Sequence, residues 1–138
     1  MKKEVFPNIS TKPRYNNSLR SIMEKRRGDK MYKPLESDWR LFKKKIIGWQ
    51  ERYMERLLDE YANCLDRDLP VSTKFWALEK RINSDKKKPG VRLMLSRSNM
   101  VFDIARLIND GAISIEEISD FSEELKETIN FFHEIEWE

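Results

Sequence analysis

The chain has 138 residues, of which 37% are charged and 39% hydrophobic, and a formal net charge of +3. That length suits one domain with a real core, and seven Phe, four Trp and four Tyr supply its bulk. Four Gly and five Pro argue against a turn-rich β protein, a single cysteine (Cys64) excludes an internal disulfide, and no window offers the about 20 apolar residues of a membrane span.

A low apolar share beside a high charged share suits helices with one buried stripe and a charged outer face. The expected fold class is therefore all-α: a small helical bundle of four to five helices, with one long amphipathic helix and a basic N-terminal arm. The expected division is an arm over 1–34 and a helical domain over 35–138. The opening MKKEVFPNIS is charged but has no apolar run behind it, which reads against a secretory signal. With the lone cysteine, this gives a cytoplasmic expectation. The charge is distributed along a gradient. Residues 1–34 hold ten Lys or Arg against three Asp or Glu, whereas 110–138 hold Lys126 alone against ten acids.

In chain order, residues 1–34 show no sustained periodicity and are interrupted by Pro7, Pro13, Gly28 and Pro34. Only Ser18–Arg27, with Leu19, Ile22 and Met23, predicts a short helix. The strongest element follows, over about Ser37–Cys64, with Ser37 or Asp38 as N-cap. Trp39, Phe42, Ile46, Trp49, Tyr53, Leu57 and Tyr61 recur at three- and four-residue steps, and Ile47, Met54, Leu58 and Leu65 widen that stripe on one side. Gly48 within it reads as a place of close helix approach or a bend. A second helix is expected after Ser72 or Thr73, with Phe75, Leu78 and Ile82 on its apolar face and Trp76 pointing elsewhere. Asn83–Pro89 is a polar loop.

Pro89 suits the first turn of a third helix carrying Val91, Met94, Leu95, Val101, Ile104, Ala105 and Ile108, either continuous or broken at Ser96–Asn99. Gly111 is its C-terminal stop. Ser114 and Glu117 fit a capping box, and Ile113 and Ile118 fit the hydrophobic staple around it. Phe121, Leu125, Ile129 and Phe132 continue an apolar face, with a fresh cap expected at Ser119 or Asp120.

The chemistry-bearing patterns are weak. Asp110–Glu117 has the shape of half an EF-hand loop, but counting back from Gly111 puts Arg106 and Ile108 where the first ligands belong. A helix-turn-helix over the same region has a reading helix with Glu123, Glu124 and Glu127, which DNA repels. His133 is the only histidine, and no Gly-rich phosphate loop or nucleophile elbow occurs. The reading is therefore non-enzymatic, with no catalytic, metal, cofactor or small-molecule site expected.

PLESDWRLFKKKIIGWQERYMERLLDEY at Pro34–Tyr61, KKPGV at Lys87–Val91 and MVFDIARLINDGAISIEEISDFSEELKETI at Met100–Ile129 together resemble small uncharacterised proteins of Gram-positive, often gut, bacteria and their mobile elements. The resemblance covers about two thirds of the chain. It implies no activity, and the multidrug-transporter label that some of those proteins carry does not suit a chain without a membrane span.

Two functions follow as expectations. The first is a helical protein-interaction module, accessory or regulatory, that binds a protein partner or a second copy of itself, with Trp76, Glu123, Glu124, Glu127 and Trp137 as its surface. The alternative is an accessory nucleic-acid-binding protein that uses Lys12, Arg14, Tyr15, Arg20, Lys25, Arg26 and Arg27 of the arm for phosphate contact and stacking, supported by the short basic runs Lys43–Lys45 and Lys86–Lys88.

Overall fold

A computed structural model describes residues 32–136, with side chains through residue 132. The short helix expected over Ser18–Arg27 lies outside the described residues. Within them the chain is all-α: four helices and one 3-10 turn around a single apolar core, with no strand.

Helix α1, Glu36–Leu65, is the axis of the molecule. Its 30 residues span about 45 Å. All seven residues of the expected stripe are buried, from Trp39 to Tyr61. Trp49 stands between Phe42 and Phe121, with ring centroids 6.3 Å and 6.4 Å away. Of the residues expected to widen that stripe, only Met54 is even half-buried. Ile47 and Leu58 face solvent and Leu65 is exposed as well, because they lie about 100° round the helix from the core line. Gly48 is not a point of close approach either: a Cβ built on it meets nothing within 4 Å.

The start of α1 also differs from expectation. Leu35 occupies the N-cap, and neither Ser37 nor Asp38 caps the helix. Asp38 instead is buried and joins two distant segments. It accepts hydrogen bonds from the Tyr32 hydroxyl at 3.0 Å, the Ser122 N–H at 2.9 Å and the Ser122 hydroxyl at 2.6 Å.

Helix α2 runs from Val71 to Asp85 with Pro70 at its N-cap. It therefore starts before Ser72 and Thr73. Proline can stand there because its missing N–H has no partner to lose at a helix start. The next correction concerns Pro89. No helix begins there: residues 92–96 have no regular structure, a turn follows, and α3 starts only at Met100. The reason is packing against α1. The Gln50 side chain donates to the Pro89 carbonyl at 2.9 Å, and Gly90 lies flat on the Tyr53 ring. The chain then runs along α1 as an extended strap, until Arg97 reaches Glu36 near the start of α1 at 2.9 Å. This route leaves Met94 and Leu95 exposed.

Helix α3, Met100–Asn109, is almost wholly buried and ends where Gly111 turns the chain at φ +77°. Arg56 and Arg52 of α1 donate to the carbonyls of Gly111 and Ala112, at 3.1 Å and 3.3 Å. The capping box forms as expected around the 3-10 turn Ile115–Ile118, with the Ser114 N–H donating to Glu117 at 3.0 Å and both staple residues, Ile113 and Ile118, buried. Glu117 also receives Arg52 at 2.7 Å. Burial pushes its carboxyl up, but the Ser114 N–H and the Arg52 guanidinium outweigh that and hold it below the usual range. Helix α4, Glu123–Glu136, buries Leu125, Ile129 and Phe132 against α3. Its cap is Ser122, whose hydroxyl accepts the Leu125 N–H at 3.1 Å, and not Ser119 or Asp120.

Gly48 within α1 and Gly90 packed against α1 give a paired test. Gly48→Ala is expected to raise stability by about 1 kcal/mol, since alanine is the better helix former and space is open. Gly90→Ala is expected to lower it by about 1–3 kcal/mol, since the new methyl would collide with the Tyr53 ring. Chemical denaturation of both variants checks this, and equal midpoints would contradict the packing of the strap.

Candidate interaction surface

The end of the molecule formed by the last turns of α1 and by α2 is built differently from the rest. Helix α2 has about four turns but buries no apolar side chain; its sole buried residue is Asp85. It is held by polar contacts. The buried Asp85 carboxylate accepts the Tyr61 hydroxyl at 2.6 Å and the Arg81 Nε at 2.9 Å, with Lys88 at 3.6 Å. Arg81 reaches on to Glu60 of α1 and lies over the Tyr61 ring at 5.3 Å. A one-residue shift of α2 would break the contacts of Asp85 and Arg81 to Tyr61 and Glu60 together, so its position on α1 is closely determined.

Burial, aided by the hydrogen bond to Asp85, pushes the Tyr61 phenol up to about 12. An unfolded tyrosine ionises near pH 10. The raised value therefore contributes stability that is fully present below about pH 10 and is lost as pH rises through about 12. Burial raises the phenols of Tyr32 and Tyr53 as well, so phenolate absorbance followed to high pH should show Tyr32, Tyr53 and Tyr61 ionising late, and Tyr61→Phe should remove one of those late ionisations; an unchanged curve would contradict it.

The apolar residues of α2 stay open. Val71 is 81% exposed, Phe75 62% and Trp76 61%, and Ile82 is exposed too; Leu78 alone is half-buried against the core. The face expected on Phe75, Leu78 and Ile82 is thus real as a stripe but is not covered by this chain. The Phe75 and Trp76 rings meet edge to face, 4.8 Å apart. Beside the stripe a groove of about 210 Å³ opens at the helix junction, lined by Tyr61, Leu65, Leu69, Leu78 and the stems of Arg67 and Lys74. Residue types that proteins usually bury are gathered here on one surface.

The expected surface residues do not form one site. Trp76 is on α2, beside the far end of α1. Glu123, Glu124 and Glu127 lie exposed on α4, which starts at Asp38; about 30 Å of α1 separates Asp38 from Glu60, where α2 docks. Glu123 pairs with Lys126 at 2.9 Å. Trp137 lies outside the described residues, as do Lys12, Arg14, Tyr15, Arg20, Lys25, Arg26 and Arg27. The first basic run belongs to a wide surface groove of about 690 Å³, where Arg40, Lys43 and Lys44 face Asp120 and Phe121. Lys45 pairs with Asp120 at 3.5 Å.

Sequence reasoning placed Phe75, Ile82 and Leu58 on apolar faces in or near the core, so their exposure was missed. The available signal was the steep local charge of α2, where polar residues surround a narrow apolar line. Among the described residues no cluster of three or more metal-ligating side chains occurs, and no helix is long and apolar enough to cross a membrane. Comparison with protein-family models, with curated proteins and with solved structures finds no match to the chain.

Proposed function

We propose that the chain is a non-enzymatic, cytoplasmic interaction module that binds a protein partner through the α1–α2 end. The observation that carries this reading is the exposed Phe75–Trp76 pair on a helix fixed in place by buried polar contacts. Rigid aromatic side chains on a well-positioned element supply large contact area at low entropic cost, which is the profile of an interface hot spot. A helix held so firmly, yet without an apolar residue in its own core, has its packing completed from outside.

The test is affinity capture from cells of the source organism with the wild type and with Trp76→Ala. Trp76 is exposed, so the variant should melt within about 1 °C of the wild type, as surface changes do. It should lose at least one partner by tenfold or more in recovery. Identical recovery from both proteins would end this reading.

The second reading, accessory nucleic-acid binding through the basic arm, is favoured by one specific observation. Arg40, Lys43 and Lys44 line one groove on α1, where they would extend the phosphate-binding charge of the arm. Binding to single- and double-stranded DNA and RNA across a salt series tests it: affinity should fall steeply with salt and drop further in Arg40→Ala/Lys44→Ala. No binding at low salt would exclude it.

A further inference from the structure

We infer, on the basis of the interaction-module reading, that one partner of α2 is α2 of a second copy of this chain, packed parallel about a two-fold axis. Val71, Phe75, Leu78 and Ile82 recur at steps of four, three and four residues, the spacing of a coiled-coil seam. The chain leaves three of the four open. Val71, Phe75 and Ile82, with Leu65 and Leu69 beside the groove, leave an apolar area of several hundred Å² per copy, a large share of the ~800 Å² per partner of a stable complex. Two heptads alone make a weak coil. Here the α1 end adds Leu65 and Leu69, and the groove beside Leu78 offers room for an apolar side chain of the second copy.

Charge selects the second copy and its direction. On this seam Lys74 flanks one edge and Glu79 the other, at the two positions that face each other across a parallel pair. A parallel dimer brings Lys74 of each copy to Glu79 of the other, twice by symmetry. An antiparallel pair would instead bring Lys74 to Arg81 of the second copy, a like-charge contact. Within each copy Arg81 is already held by Glu60 and Asp85. Among the described residues Lys74 has no ion pair, and Glu79 accepts only the Asn83 side chain at 3.2 Å. Trp76 lies about 120° round α2 from the seam and stays free for a different partner.

Sedimentation equilibrium of the full chain tests this. The wild type should dimerise with concentration, and Phe75→Glu should be monomeric at every concentration while keeping the melting temperature that the wild type has at concentrations too low for it to dimerise. Lys74→Glu and Glu79→Lys should each weaken the dimer at least threefold, because each places like charges across the seam. Mixed in equal amounts, these two variants should regain wild-type association as a heterodimer. A monomeric wild type, a dimer that Phe75→Glu leaves intact, or a mixture that fails to recover would each overturn the inference. The outcome is separable from the broader reading. A monomer whose captured partner still depends on Trp76 removes the dimer alone, whereas a dimer without any Trp76-dependent partner removes the other proposal alone.

Discussion

Trp49→Ala is expected to cost about 3–5 kcal/mol, the range for removing a large aromatic from a packed core. Trp49 is 5% exposed and sits at the middle of α1, where the ring touches Phe42 on its own helix and Phe121 ahead of α4. Phe42 is fully buried, so the ring has no path by which to be replaced by water without opening the bundle. The void left would be larger than a few methyl groups, and it would open between α1 and the segment ahead of α4. For a domain of this size a loss of that order consumes a large part of the whole stability. Urea denaturation of Trp49→Ala beside Ile47→Ala gives the comparison. Ile47 is exposed, so its replacement should stay within about 0.5 kcal/mol. Similar costs for the two would mean that the helix faces are assigned wrongly.

The same contrast shows what a sequence can and cannot reveal here. The core line of α1 was legible because seven large residues share one face over about six turns, and helical geometry leaves no other way to group them. The turn at Gly111 and the capping box at Ser114 and Glu117 were legible for a similar reason: their partners are three or four residues away. What failed was long-range. Pro89 opens no helix because Gln50 and Tyr53, far back in the chain, take hold of it. Asp38 reads as a cap until Ser122 and Tyr32 arrive beside it. Leu58 and Leu65 read as core because an apolar face on a helix implies a neighbour, and the sequence does not say whether that neighbour belongs to the same chain. The candidate surface was therefore legible only at Trp76. Its remaining members became visible once the fold had accounted for every covered face.

Asp38→Ala is expected to cost about 2–4 kcal/mol, since it leaves several buried donors without an acceptor. Both oxygens are used. One accepts the Ser122 N–H, and the other accepts the Ser122 and Tyr32 hydroxyls. The Tyr32 oxygen in turn accepts the Leu35 N–H at 3.1 Å, so the N-cap of α1 hangs on the same group. Ser122 caps α4, so loss of Asp38 weakens the starts of two helices at once. Asp38→Asn should cost nearly as much, because its amide would point a donor at donors already present. The expected signature is non-additivity. Ser122→Ala in the Asp38→Ala background should cost at least 1 kcal/mol less than in the wild type, since most of the serine's work is to meet that carboxylate. Costs that simply add, within about 0.5 kcal/mol, would show that the two residues act independently. The coupling matters beyond stability: it fixes Tyr32 beside the acidic start of α4.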